Sequence, residues 1–207
     1  YSSAASDVYK RQVEMLCQGA KAGIKSAEFA NANHFKDLDE DQVDYYINKY
    51  DSYFDNDGEY DPIRHYNNII EACDNGFGLR RNEKDMTEAF ESLSALYDRQ
   101  SHLSIDNTNK KYNVEWQKAI TSENILLCSM ASIKAGILRK ESRGCHIRSD
   151  YPEVNHDEYL VKFVSQLEGN EIKISSRKPI MTKIAAPKGK VENVIEYFTD
   201  PDLDYER

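Results

Sequence analysis

The sequence lacks a long apolar run, a recognisable leader and an excess of basic residues. No stretch approaches the roughly 18 apolar residues that a membrane-spanning helix needs, and no basic start followed by an apolar centre and a small-residue cleavage site is visible. We therefore predict a cytoplasmic protein. The formal net charge is -9 and the isoelectric point is near 5.1, which argues against a nucleic-acid-binding surface, because such surfaces cluster Lys and Arg.

The sequence also lacks the spacings that are typical of metal sites and common catalytic motifs. Its cysteines form no C-x-x-C pair, and no two of its five histidines stand at i, i+4 with a Glu between them. It contains neither a G-x-S-x-G segment nor a complete G-x-G-x-x-G segment. We expect no metal site and no nucleophilic catalysis, and we interpret the four cysteines as ordinary thiols: Cys17, Cys73, Cys128 and Cys145.

The residues that are present suffice for one hydrophobic core. The chain has 207 residues, of which 40% are hydrophobic and 11% aromatic. Its first twelve residues, YSSAASDVYKRQ, look like translated read-through of a sequencing-library adapter, so we set them apart from the fold. We accordingly expect that the natural protein was cut and that the sequence before Val13 is missing.

The first part of the chain is predicted to hold one helix and an acidic connector. From Val13 to Asn31, apolar and small residues recur at steps of three and four, which places them on one helical face suited to close packing. Residues 37–61 interleave acids with tyrosines, and a short helix is expected to start at Gln42–Tyr50, before a turn at Asp57-Gly58.

Three further helices are predicted to form an antiparallel bundle, because short loops join them. The first begins at Pro62 and is expected to end with a left-handed cap at Gly76. The second begins after Asn82, a suitable N-cap, and the third runs over Val114–Lys140. Their apolar faces are, in order, Ile63, Tyr66, Ile70 and Cys73; Met86, Ala89, Phe90, Leu93, Leu96 and Tyr97; and Trp116, Ala119, Ile120, Leu127, Met130, Ala131, Ile137 and Leu138.

Beyond the bundle the pattern changes from helix to strand. Residues 159–167 and 171–176 are short and rich in Val, Ile, Phe and Tyr, and Glu168-Gly169-Asn170 separates them, which predicts a hairpin. The tail after Pro179 contains one helix-like stretch, VENVIEYF. The predicted fold is therefore mainly α: a three-helix bundle followed by a small β-hairpin and an extended tail.

A dense group of charges follows the longest predicted helix. The run over residues 139–152, RKESRGCHIRSDYP, contains three arginines, a lysine, a histidine and two acids. Cations in a last helical turn complement the helix dipole, Gly144 is expected to cap the helix, and Pro152 prevents it from resuming. The guanidinium groups beside the two acids indicate a bidentate network that pins this turn to another surface.

This run resembles the R-x-E-S-R-G-x-H-x-R-x-D-Y-P signature near the end of fumarate reductase and succinate dehydrogenase flavoproteins, which L-aspartate oxidases share loosely. Residues 123–126 (ENIL) are similar to the family's E-N-M-L stretch, and residues 78–80 (GLR) resemble its G-I-x-R step. Residues 159–160 (YL) and the hairpin at 168–169 look like its W-L-K-H segment and closing hairpin, with Tyr in place of Trp. Residues 19–30 are similar to the last helix of the family's flavin domain.

The resemblance implies a division of the chain. Residues 1–12 are the expected artefact, 13–36 the last helix of a truncated flavin-binding domain, 37–61 the connector, 62–152 the bundle ending in the charged motif, and 153–207 the hairpin and tail. It also implies a docking role for eight residues of the motif, which would lock the bundle on the flavin domain: Arg139, Glu141, Ser142, Arg143, Gly144, His146, Arg148 and Asp150.

What the family does is carried over to the intact parent as an expectation. The resemblance implies an FAD-dependent oxidoreductase in which hydride passes between the flavin and the carbon-carbon double bond of a dicarboxylate. No catalytic or FAD-binding position of the family matches a residue here, so we expect this chain alone to be inactive and to bind no FAD. The implied partners are the flavin domain of the same chain and an iron-sulfur subunit, through which the parent could lie at the inner face of a membrane.

Two alternatives stay open. The nearer one is another reductase of the same superfamily, such as an adenylylsulfate reductase alpha subunit or a reductase of another unsaturated acid. The further one, from a different class, is a standalone helical interaction module that binds a partner through its acidic, tyrosine-rich segment from Tyr45 to Tyr60. An upstream reading frame that encodes a G-x-G-x-x-G strand-turn-helix would end the second alternative.

Overall fold

A computed structural model describes residues 2–181 and 185–192, with side chains from residue 15 onward. Helices and a few short strands make up this part of the chain, as predicted, so the fold is mainly α. None of the described helices is long and apolar enough to cross a membrane. By its backbone contacts the chain divides into two compact units, residues 1–46 and 47–207.

The first unit consists of α1 (Ser2–Ala32) and the start of α2 (Glu40–Asp55). α1 begins earlier than predicted and includes most of the residues that we set apart. α2 extends five residues beyond the predicted Tyr50, so much of the connector is helical. The apolar side of α1 is exposed rather than packed, as its large side chains show: Met15, Leu16, Ile24 and Phe29.

The helix α3 (Pro62–Phe77) starts as predicted and ends differently. The Asp61 side chain accepts the N–H of Arg64 and caps its start. The predicted left-handed cap at Gly76 is wrong, because Gly76 lies inside the helix. The first residue beyond the helix is Gly78, and its φ of -67° is not left-handed. A Cβ at Gly76 would stand 2.2 Å from the Ala89 Cβ, so glycine is needed there for close helix packing rather than for a turn.

The predicted inner face of α3 is wrong by one position at Ile63 and Ile70, whereas Cys73 packs against the core as predicted. Ile63 and Ile70 are each 39% exposed, and the buried residues are Pro62, His65, Ile69 and Gly76. One residue corresponds to a rotation of about 100° around a helix. The difference arises because His65 and Gly76 face the bundle, and an apolar pattern does not count histidine or glycine as core residues.

The helix α4 (Glu83–Arg99) confirms its predicted start and face. The Asn82 side chain accepts the N–H of Asp85, and the buried residues are Met86, Ala89, Leu93 and Leu96. A 3-10 turn (Gln100–His102) follows. The long helix α5 (Val114–Leu138) ends two residues early, and its predicted face is only partly correct: it buries Ala119, Ser122, Leu126, Ile133 and Gly136, whereas Leu138 is 46% exposed.

Helices α3, α4 and α5 each pack against the other two and form the predicted bundle. The end of α3 meets the start of α4 at Gly76 and Ala89, so these two helices run antiparallel. One core cluster lies between all three helices and includes Ile69, Leu93 and Leu126. A second cluster, around Tyr53 and Leu103, packs the end of α2 against the start of α5.

Six short strands complete the described fold. β1 (Arg80–Arg81) pairs in parallel with β2 (Ile147–Arg148), and β3 (Glu153–Asn155) leads into the one-turn helix α6 (His156–Tyr159). β4 (Lys162–Glu168) and β5 (Glu171–Arg177) form the predicted hairpin, with Gly169 at a φ of +61° in its turn. β6 (Lys190–Glu192) pairs with β3, so the helix-like stretch VENVIEYF begins as a strand, and its remainder lies outside the described residues.

Replacing Gly76 by Ala should destabilise the bundle although alanine favours helix. The new methyl would overlap the Ala89 Cβ and come within 2.5 Å of the Asp85 carbonyl oxygen, and such overpacking costs about 1–3 kcal/mol or more. Gly23→Ala is the matched control, since nothing lies within 4 Å of that mid-helix position. Thermal unfolding should show a lower Tm for Gly76→Ala alone; equal Tm values for both variants would contradict the close contact.

Candidate functional site

The charged motif forms a corner that follows α5, and we call residues 139–150 the charged corner. The Arg139 N–H closes the helix by bonding to the carbonyls of Ala135 and Gly136. The chain then makes a two-residue turn in which Arg143 and His146 exchange backbone hydrogen bonds. Gly144 lies in this turn with a φ of +56°, so the expected helix cap is wrong: glycine serves the turn, six residues beyond the end of the helix.

Glu141 is fully buried, and its carboxylate receives four donors. Arg143 binds both oxygens, with Nε 2.7 Å from Oε1 and Nη2 2.9 Å from Oε2. Arg139 also donates to Oε1, and the Asn155 N–H donates to Oε2 at 2.8 Å. Arg143 further contacts His156 Nδ1 at 3.3 Å. Removing a buried charge's partners costs about 3–5 kcal/mol, so these donors keep the carboxylate inside.

Arg139 connects the end of α5 to the hairpin. Its guanidinium donates to the carbonyl oxygens of Tyr159 at 2.9 Å and Val161 at 2.8 Å. It also stands 4.7 Å from the centroid of the Phe163 ring, at the start of β4. The position of the hairpin next to the bundle therefore depends on this side chain.

Arg148 and Asp150 join the ends of two helices. Arg148 is fully buried, and its Nη1 donates to the Gly136 carbonyl at 3.0 Å and to two further carbonyls at the end of α5. Its Nε and Nη2 bind Asp150 at 2.7 and 2.6 Å, and Asp150 accepts the N–H of Glu83 at 2.9 Å. The cation thus meets the negative end of α5 and the anion the positive end of α4. The hydrogen bond from Arg148 lowers the pKa of Asp150.

His146 is held as a neutral ring. Arg81 Nη1 lies 3.0 Å from its Nδ1, and because a guanidinium can only donate, Nδ1 must accept. The proton is then on Nε2, which faces the Arg139 carbonyl at 3.4 Å. Burial, together with the nearby charge of Arg81, lowers the pKa of His146 to about 4.

Ser142 fixes the backbone of the corner. Its hydroxyl lies 2.8 Å from the Tyr151 carbonyl oxygen and accepts the N–H of Arg148 at 2.8 Å. Its own N–H bonds to the Glu153 carbonyl. The residue is fully buried, so these bonds satisfy a hydroxyl that water cannot reach.

With this geometry, the chain can be compared with known proteins. Residues 67–192, which include the whole corner, match the family described as "Fumarate reductase flavoprotein C-term". The chain belongs to this family. The fumarate reductase flavoprotein subunit of Helicobacter pylori is 30% identical over 105 residues, which are 51% of this chain and 15% of that protein. The succinate dehydrogenase flavoprotein subunit of Rickettsia bellii is 22% identical over 81% of this chain and 28% of its own length.

Solved structures show the same fold at lower identity. An E. coli quinol fumarate reductase superposes with a TM-score of 0.69 at 19% identity and covers 77% of this chain and 28% of that one. The adenylylsulfate reductase of Archaeoglobus fulgidus has a TM-score of 0.62 at 18% identity, over 79% of this chain and 28% of that one. The chain thus spans between 15% and 28% of the length of these four proteins.

The structure brings all eight predicted motif residues together, and their visible partners belong to the chain itself. Sequence reasoning missed three contributors: Arg81 on β1, Glu83 at the start of α4, and Asn155 on β3. None stands within the motif, and only the pair Arg80-Arg81 directly before the N-cap of α4 could have indicated one of them. The docking role of the eight residues stays a prediction.

The charged side chains of the corner are engaged mainly with one another and with backbone groups. Among residues 15–181 and 185–192, no group of three or more His, Cys, Asp or Glu side chains is arranged to hold a metal ion. Its carboxylates are engaged by arginines, and its histidine already has a donor on Nδ1. A proton-transfer group would need an open position facing a substrate.

The neutral state of His146 predicts acid sensitivity. Since its pKa in the folded chain is about 4, against about 6.5 unfolded, the folded state resists protonation. The contribution of the neutral His146 ring to the free energy of unfolding is complete above pH 6.5 and is lost as the pH falls toward 4. Between pH 7 and 5 this should lower the free energy of unfolding by roughly 1–2 kcal/mol, after allowance for solvent screening.

Urea unfolding of wild type, His146→Asn and the exposed control His102→Asn at both pH values measures this effect. We expect a smaller pH dependence in His146→Asn only. Equal pH dependence in all three proteins would contradict the buried neutral ring.

Proposed function

We propose that this chain is the C-terminal part of an FAD-dependent oxidoreductase that reduces or oxidises a carbon-carbon bond of a dicarboxylate, as fumarate reductases and succinate dehydrogenases do. The observation that carries the proposal is the family match over residues 67–192, which includes the complete corner. We further propose that the chain alone is catalytically inactive and that its role is to clasp the flavin-binding domain of the parent.

The three helix starts of the described bundle offer no open position for the FAD pyrophosphate. Dinucleotide-binding folds place the pyrophosphate at an open helix N-terminus after a parallel strand. In the bundle, side chains of the same chain cap all three helix starts: Asp61, Asn82 and Asn113. The start of α4 also receives the Asp150 carboxylate, which would repel a phosphate. FAD would therefore be held by other parts of the parent, which would also supply the hydride chemistry.

The corner supports the clasping role through its rigidity and its exposed rim. Its buried pairs fix the positions of Arg143, which is 29% exposed, and of the exposed turn residues Gly144 and Cys145. A preformed surface loses little conformational entropy when another domain binds it. We propose that this rim contacts the flavin-binding domain and borders the cofactor environment.

The partners and location follow from the same proposal. Besides the flavin-binding domain of its own chain, the parent would bind an iron-sulfur subunit, and it would reach the inner face of a membrane through such a partner while remaining cytoplasmic. The likeness to the Archaeoglobus fulgidus adenylylsulfate reductase supports a second candidate, a reductase of that type. The coding sequence upstream of Val13 separates the two candidates, because it would contain the flavin domain and its substrate-binding residues.

Replacing Arg143 by Ala in the full-length parent tests the clasping role. The change leaves the buried Glu141 with fewer donors and removes a partly exposed cation from the rim, so we expect a lower ratio of bound FAD to protein and a lower Tm. Absorbance of the purified protein and thermal unfolding measure the two quantities. Arg177→Ala, at an exposed position on β5, is the matched control. FAD content and Tm that match the control would count against the proposal.

A further inference from the structure

We propose that Arg81 is the point at which the charged corner receives a carboxylate side chain of the flavin-binding domain. The inference rests on the proposed clasping role and deepens it by naming the chemistry of the contact. The guanidinium group of Arg81 differs from those of the neighbouring arginines, because its hydrogen-bond acceptors are uncharged.

Arg81 keeps open donors. Its Nε donates to the Gly78 carbonyl at 2.8 Å and its Nη1 to His146 Nδ1 at 3.0 Å. Two of five N–H groups are thereby used, and neither donor on Nη2 has an acceptor within the described part of the chain. The guanidinium also lies 3.8 Å from the centroid of the Phe77 ring, which orients its plane. The guanidinium is thus held in a fixed plane, with N–H donors positioned to bind a carboxylate side by side.

Arg81 also lacks a countercharge among the residues whose side chains are described. Arg139 and Arg143 share Glu141, and Arg148 is paired with Asp150. By contrast, no carboxylate within residues 15–181 and 185–192 forms an ion pair with Arg81, whose acceptors are a carbonyl and a neutral ring. Arg81 is partly buried, and this desolvation lowers the pKa of its guanidinium. A desolvated cation without a partner is unfavourable, and a carboxylate would correct this.

The position is reachable from outside. Arg81 is only partly buried, and it stands two residues after Leu79, an exposed apolar residue at 58% exposure, with the exposed Arg80 between them. Its Nη1 contacts His146, and the residue before that histidine, Cys145, is exposed in the Gly144 turn. The basic site therefore lies beside an exposed apolar residue and an exposed turn, on a chain whose net charge is -9. An acidic side chain on a neighbouring domain fits this site, since most of the remaining surface would repel it.

Titration of the 207-residue chain with acetate, observed by NMR at the arginine Nε–Hε groups, tests this inference. We expect a saturable shift at Arg81 and none at Arg143 or Arg148, whose forks are occupied. The titration midpoint of His146 should rise in acetate relative to chloride at equal ionic strength, because the bound anion offsets the charge of Arg81. In Arg81→Gln the midpoint should be raised already and should no longer respond to acetate.

The variant Arg81→Lys keeps the positive charge but loses the paired N–H donors of the guanidinium. It should bind acetate more weakly and leave His146 neutral near pH 6. No saturable shift at Arg81, or equal shifts at Arg81 and Arg177, would overturn the inference. Stronger binding of inorganic phosphate than of acetate would also overturn it, because it would assign the site to a phosphate. FAD retention by the parent is measured on a different molecule, so failure here leaves the clasping role separately testable.

Discussion

Two fully buried charges, on Glu141 and Arg148, set the conditions that the surrounding residues must meet. Each needs partners inside the protein, since an unpaired buried charge costs several kcal/mol. Glu141 obtains them from two arginines and a backbone N–H, and Arg148 from Asp150 and the carbonyls at the end of α5. Those partners lie in the corner itself, at the end of α5 and on β3, so satisfying the two charges ties the corner and β3 to the end of the bundle.

Local chemistry made part of this fold predictable. The N-cap Asn82 and the proline at the start of α3 could be predicted because each acts on adjacent residues. The buried face of α4 could be predicted because its apolar residues form a single stripe. Which face of α3 is buried depends instead on how closely another helix approaches. Gly76 and His65 therefore lie on the buried face, and Ile63 does not. The apolar residues of α5 do not form one clear stripe, and which side it buries, including Ser122 and Gly136, depends on packing that a periodic pattern does not contain.

The charged corner was predictable in composition and not in its connections. The density of guanidinium groups beside two acids indicated a bidentate network, and Arg143–Glu141 and Arg148–Asp150 are such pairs, each only two residues apart. Arg81 and Glu83 contact the corner from 65 and 67 positions away, and Asn155 comes from the strand that follows it. These contributions depend on tertiary structure. Gly144 was misassigned because glycine serves helix caps and tight turns equally well, and only the early end of α5 separates these uses.

Native-state hydrogen exchange tests the central claim, that internal ion pairs make the corner and the bundle one cooperative unit. The amides of Glu83 and Asn155 bond to the carboxylates of Asp150 and Glu141. The account predicts that both exchange with the same opening free energy as core amides such as those of Leu93 and Leu126. Opening free energies several kcal/mol below the core values, at an unchanged global stability, would contradict it and show a corner that opens independently of the bundle.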